Sequence, residues 1–226
     1  MGSTHMHLPI VWAVSGWAVL LALAAHAFLR TLRPAVRRAF LPLSIQQHAW
    51  LAGIVCLGVL WSLQIRIGGG LHLSMIGVSL YALLFGYARA LLGAAVALIG
   101  QAALSDGMWP DLGMTGVLVA ALPAAVASTL QRVLRSRLPR HLFVFIIGNG
   151  LFATLIASGC ASVAYLALQI AAAPAEIANT AEMIGYALLL AWGEALASGM
   201  IFSSLVIFLP QVVMTYPQDD YLPRRR

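Results

Sequence analysis

The chain has 226 residues, of which 62% are apolar and only 9% are charged, and its mean hydropathy is +0.92. A soluble domain carries about 25% charged residues, so the composition indicates an integral membrane protein, and we expect no nucleic-acid partner. The formal charge of +6 comes from thirteen arginines without a single lysine. The chain therefore cannot supply a Walker A lysine or a Schiff base, and any ATP hydrolysis that drives it must occur in another subunit.

Residues 1–5 look unlike the sequence that follows them. The pair His5-Met6 is what a cloning site often leaves ahead of a native start. We therefore interpret residues 1–5 as a cloning remnant and residues 6–226 as one transmembrane domain that begins at Met6. The first apolar stretch has no basic residues ahead of it, so it is not interpreted as a cleaved signal peptide.

Hydropathy predicts an all-α bundle of about seven transmembrane helices, most of them close to or somewhat below the ~20 residues that a bilayer requires and the last two longer. The predicted spans are 9–30, 47–65, 71–87, 89–104, 113–134, 141–172 and 183–213. The third span is expected to be a helix that His72 opens, directly after the three glycines Gly68 to Gly70. The sixth contains Gly148-Asn149-Gly150, so a bend is expected there.

The arginines predict the orientation. With seven spans, twelve of the thirteen fall on one side of the membrane, and Arg66 alone falls on the other. The positive-inside rule makes the arginine-rich side cytoplasmic. The N-terminus is then outside, the C-terminus is cytoplasmic, and the loop that contains His72 is outside.

Two histidine-containing stretches could bind a metal ion on that outer face. A chain that starts Met6-His7 offers its terminal amine, the His7 amide nitrogen and the His7 Nδ1, which can close two chelate rings around one ion. His72 would supply a fourth nitrogen, and square-planar nitrogen coordination suits Ni(II) or Cu(II). Each histidine, taken alone, also fits a polar residue at the membrane interface.

The chain resembles the CbiM/NikM-type substrate-binding membrane component of cobalt and nickel energy-coupling-factor transporters, most strongly over residues 68–115. The matching motifs, in chain order, are Met6-His7-Leu8-Pro9, Gly68-Gly69-Gly70-Leu71-His72, Leu83-Leu84-Phe85-Gly86-Tyr87, Gln101-Ala102-Ala103-Leu104-Ser105-Asp106-Gly107, Leu112-Gly113 and Gly193-Glu194-Ala195.

The resemblance implies a function and a ligand set. Met6, His7 and His72 would be the metal ligands, and the substrate would be Ni(II), Co(II) or possibly Cu(II). The partners would be membrane lipid, a coupling transmembrane protein and ATPase subunits. The protein would lie in a bacterial cytoplasmic membrane and would not be an enzyme.

Three departures from the family pattern keep a second hypothesis open. Ile10 replaces an acidic residue, Tyr87 replaces a proline, and Met114-Thr115 stands where the family has Ala-Asn. The alternative is a non-transport accessory or assembly subunit of a membrane metalloprotein complex. An intramembrane enzyme is disfavoured, because neither a Gly-x-Ser-x-Gly elbow nor a His-Glu-x-x-His motif is present.

Glu194 is the remaining candidate. It is an acidic residue inside the last predicted span, where a carboxyl group is costly and by default suggests a function. The other interpretation is a carboxyl group that holds two helices together.

Overall fold

The structure is a computed structural model, and it describes residues 10–35, 44–62, 65–67, 71–73, 76–104, 109, 112–137, 141–172 and 180–216. The helices are α1 (Ile10–Ala35), α2 (Ile45–Ser62), α3 (Val78–Phe85), α4 (Tyr87–Leu104), α5 (Leu112–Gly116), α6 (Leu122–Arg137), α7 (Leu142–Ile146), α8 (Thr154–Ala172) and α9 (Thr180–Phe208). Two short strands, β1 (Ile65–Ile67) and β2 (Leu71–Leu73), lie between α2 and α3.

Two of the long helices contain a π-helical segment. Val117–Ala121 joins α5 to α6, and Ile147–Ala153 joins α7 to α8. The nine labelled helices therefore form seven helical segments in the described part of the chain, as predicted. The expected bend at Gly148-Asn149-Gly150 is a π-helical stretch, in which the helix continues with wider turns.

Five of the seven segments are long and apolar enough to cross a membrane. The last, α9, has 29 residues and is therefore about 43 Å long at 1.5 Å per residue. The outer surface of the bundle is rich in exposed apolar side chains, as expected for a lipid-facing surface; examples are Val14, Leu21, Val55, Leu189 and Met200. The prediction of an all-α, multi-pass membrane bundle is confirmed, with one short β-hairpin added to it.

The third span is the main difference from the prediction. It is not a helix from 71 to 87, because α3 has only eight residues and begins at Val78. Gly77, immediately before α3, has φ +66°, a left-handed conformation that ends a right-handed helix at its N-terminal side. Seven of the eight α3 side chains are buried, so this short helix lies in the centre of the bundle.

Close helix packing surrounds this centre. The backbones of α1 and α5 meet at Gly16 and Gly113, where a Cβ on either glycine would collide with the backbone of the other helix. Glycine and alanine at contact positions let transmembrane helices approach closely, which compensates for the absence of a hydrophobic driving force in lipid. Alanines accordingly make up much of the buried core.

Candidate metal centre

His72 lies in a β-hairpin and not on a helix. Strands β1 and β2 pair antiparallel, with Arg66 opposite His72 in the register. The alternation of Ile65-Arg66-Ile67 and Leu71-His72-Leu73, with three glycines between them, is the pattern of two short strands and a turn. The prediction that His72 opens a helix is therefore wrong. It rested on the apolar content of this stretch and did not use the alternation of apolar and polar residues in the two triplets.

The base of the hairpin is closed by a hydrogen bond between helix α2 and the start of α3. The indole Nε1 of Trp61, one residue before the end of α2, donates to the Ile76 carbonyl at 2.9 Å. Both residues are buried, at 4% and 5% exposure. The end of α2 and the residue pair before α3, which flank the hairpin in the chain, are therefore tied together inside the bundle.

Glu194 anchors this base to α9. Its Oε2 accepts a hydrogen bond from the Ile76 N–H and its Oε1 accepts one from the Gly77 N–H, both at 2.9 Å. The Ser158 hydroxyl is a further hydrogen-bond partner of this carboxyl group, and Ser158 also lies 3.2 Å from Ser79, oxygen to oxygen. The side chain is 2% exposed and sits at the midpoint of α9.

These contacts explain why a carboxylate is tolerated there. The first N–H groups at a helix N-terminus have no partner within the helix. In the apolar interior of a membrane bundle each would cost several kcal/mol if left unpaired. Glu194 satisfies the two that precede α3, and they in turn stabilise its negative charge, as does the positive end of the helix dipole. The structure thus brings Glu194 to the base of the hairpin that contains His72.

The opposite end of α3 is held in a similar way. The Leu83 carbonyl accepts hydrogen bonds from the Thr215 hydroxyl and from the Gln131 amide, which itself lies 3.1 Å from Thr215 Oγ1. Gly86, with φ +82°, ends the helix. Side chains from other segments therefore fix both ends of α3.

The predicted ligands and the other histidines of the described part of the chain are placed as follows. Met6 and His7 lie outside the described residues, and for His72 the structure describes the backbone alone. His26, His48 and His141 are exposed. Among the side chains that the structure describes, no three His, Cys, Asp or Glu residues come close enough together to hold a metal ion.

Sequence reasoning missed three residues that build this region. Trp61, Ser158 and Thr215 supply hydrogen bonds to or around α3, and none of them stands out from its neighbours in sequence. Their roles depend on partners elsewhere in the chain. Trp61 and its partner Ile76 are 15 residues apart, and Thr215 and its partner Leu83 are 132 residues apart. The hairpin itself did carry a local signal, in its alternating triplets.

Comparison with known proteins now identifies the family. The sequence profile of the CbiM family, described as the cobalt uptake substrate-specific transmembrane region, matches residues 5–212. The chain belongs to the CbiM family. A search of curated proteins finds no significant match.

The fold has a counterpart among solved structures. A crystal structure described as that of a transition metal transporter superposes with a TM-score of 0.71, covering 94% of this chain and 93% of the other. The two sequences are 18% identical, so this similarity establishes the common fold. The family match identifies the chain as a membrane component of metal uptake, which confirms the expected family and the expectation that it is not an enzyme.

Proposed function

We propose that this chain is the substrate-binding membrane subunit of an energy-coupling-factor transporter for a divalent transition metal, Ni(II) or Co(II), with Cu(II) as a further candidate. The ligands are the Met6 amine, the His7 amide nitrogen and imidazole, and the His72 imidazole. The observation that carries the proposal is the hairpin that contains His72, tied at its base to α2 and α9, in a chain whose family serves cobalt uptake.

The proposed orientation is an external N-terminus and a cytoplasmic C-terminus, in a bacterial cytoplasmic membrane. Contacts between chain segments support one common face for Arg89 and the C-terminal segment. The Arg89 guanidinium lies 2.9 Å from Met214 Sδ, and the Gln46 amide donates to the Gln211 carbonyl at 3.1 Å. The starts of α2 and α4 and the segment after α9 thus share one end of the bundle, opposite the hairpin.

Energy coupling requires other proteins. Because the chain has no lysine, it has no P-loop of its own. We therefore propose that a coupling transmembrane protein and ATPase subunits drive the uptake. In this proposal the chain binds the ion, and its partners drive the conformational change that moves the ion.

The ligand assignment is tested by His72→Ala in a chain that starts at Met6. Loss of one of four nitrogen ligands should weaken Ni(II) binding by at least about a hundredfold, or about 3 kcal/mol, measured by calorimetric titration. His48→Ala is the matched control, because His48 is exposed at the opposite end of α2. A folded His72→Ala protein that binds Ni(II), Co(II) and Cu(II) like the parent would contradict the assignment and favour the accessory-subunit alternative.

The same titration should compare chains that start at Met1 and at Met6. In the longer chain the Met6 nitrogen is a peptide amide, which is a much poorer ligand than a primary amine. We expect the chain that starts at Met1 to bind Ni(II) far more weakly. Equal affinities would show that the Met6 amine is not a ligand.

A further inference from the structure

The conformation of the stretch before α3 can be compared with the alternative of a continuous helix. In the structure, residues 71–73 form a strand and the helix begins at Val78. The same residues are apolar enough to continue α3 toward its N-terminus. A strand advances about 3.3 Å per residue and a helix 1.5 Å. Winding the four residues from His72 to Met75 into a helix would therefore move His72 by about 7 Å.

Glu194 selects between these conformations. Its two oxygens bind the N–H groups of Ile76 and Gly77 side by side. In a continuous helix those N–H groups would bond to carbonyls of the preceding turn, and Glu194 would lose both partners in the apolar centre of the bundle. A buried carboxylate without partners is strongly disfavoured. The carboxylate therefore stabilises the broken form, in which the hairpin exists.

We propose that Glu194 is a positioning residue for the metal ligand His72, acting through the backbone of Ile76 and Gly77. This inference rests on the proposed function, in which His72 binds the metal. Glu194 does not contact the ion. It fixes the point, four residues after His72, at which the chain leaves the bundle for the hairpin, and so keeps the imidazole within reach of the other ligands.

The test is Glu194→Gln in the chain that starts at Met6. Glutamine has the same shape, but an NH2 group replaces one of the two carboxylate oxygens, so one of the two N–H groups faces a donor and loses its acceptor. We expect the Ni(II) affinity to fall about tenfold to a hundredfold, as for other groups that orient a metal ligand. Bound Cu(II) should show three nitrogen ligands instead of four by electron paramagnetic resonance, as in His72→Ala.

Two controls separate positioning from simple destabilisation. Thr215→Val removes a hydrogen bond from the other end of α3 and should leave the Cu(II) spectrum and the affinity unchanged. A general loss of stability would lower the amount of bound metal without altering the spectrum of each site. The double variant Glu194→Gln/His72→Ala should bind no more weakly than His72→Ala, since both changes remove the same ligand.

The proposal is overturned if folded Glu194→Gln keeps the four-nitrogen spectrum and the parent affinity. It is also overturned if the loss of Ni(II) affinity in Glu194→Gln adds to the loss in His72→Ala. Should Glu194→Gln fail to fold, Glu194→Asp is measured instead. It keeps the charge but is one methylene shorter, and a three-nitrogen spectrum is again expected.

A metal-free measurement keeps this proposal distinct from the proposed function. Spin labels at Leu71→Cys and Ile184→Cys, with both native cysteines replaced, report the distance between the hairpin and α9. Glu194→Gln should shift or broaden that distance by several ångströms, up to the ~7 Å of rewinding. If the parent binds no metal, the proposed function is wrong whatever the distance shows. If Glu194→Gln leaves the distance unchanged, the positioning role is wrong whatever the metal titration shows.

Discussion

Two apolar segments of this bundle contain glycines, and their backbones differ at those glycines. The third segment breaks into a hairpin and the eight-residue helix α3. The sixth, residues 142–172, contains Gly148 and Gly150 and yet continues as one helix through a π-helical segment. Glycine content alone therefore does not decide where a transmembrane helix breaks.

The difference lies in the partners of the freed backbone groups. At the break before α3, Glu194 binds two N–H groups and Trp61 binds the Ile76 carbonyl. In the sixth segment the helix keeps its own backbone hydrogen bonds, and the Asn149 amide donates to the Phe145 carbonyl of the same helix. A helix can break inside a membrane where other helices supply the missing hydrogen bonds.

The largest expected effect comes from the glycine that the break requires. Gly77→Ala places a side chain at φ +66°, which costs roughly 1–2 kcal/mol for an L-residue. Its Cβ would also lie 2.8 Å from Leu60 Cδ2 and 3.0 Å from Leu57 Cδ2. We expect the free energy of unfolding to fall by about 2 kcal/mol, measured by denaturation in detergent.

Gly148→Ala is the matched control in the sixth segment. Gly148 has helical backbone angles, and its Cβ would lie 3.4 Å from Leu134 Cδ1, an ordinary contact. Alanine is preferred to glycine in a helix by up to about 1 kcal/mol, so stability should be unchanged or slightly higher. Equal losses at both positions would show that the two segments do not differ as described.

A smaller effect is expected from Trp61→Phe. The phenyl ring fills most of the same space but cannot donate to the Ile76 carbonyl, so stability should fall by about 1 kcal/mol. Trp50→Phe is the control: the Trp50 indole donates to the Arg89 carbonyl at 3.0 Å, in the first turn of the intact helix α4. A loss at Trp50 as large as that at Trp61 would argue against a special role for the hairpin base.

Most of the fold could be predicted from hydropathy, because six of the seven predicted spans match helical segments of the structure. The prediction failed at 71–77, where hydropathy cannot tell an apolar strand from an apolar helix. Glu194 could be singled out from sequence, since carboxylates are rare in such helices, but its partners could not. They are backbone N–H groups 117 and 118 residues away, which have no side-chain signature.

The smallest effect, of opposite sign, is expected in the sixth segment. The Thr154 hydroxyl is fully buried and has no hydrogen-bond partner among the residues that the structure describes. Thr154→Val keeps the shape and removes the unpaired polar atom, so stability should rise by about 0.5 kcal/mol. Thr215→Val, which removes a hydroxyl bound to the Leu83 carbonyl, should instead lower it. If both changes are destabilising, the Thr154 hydroxyl has a hydrogen-bond partner in the folded protein, and the two buried hydroxyls do not differ as described.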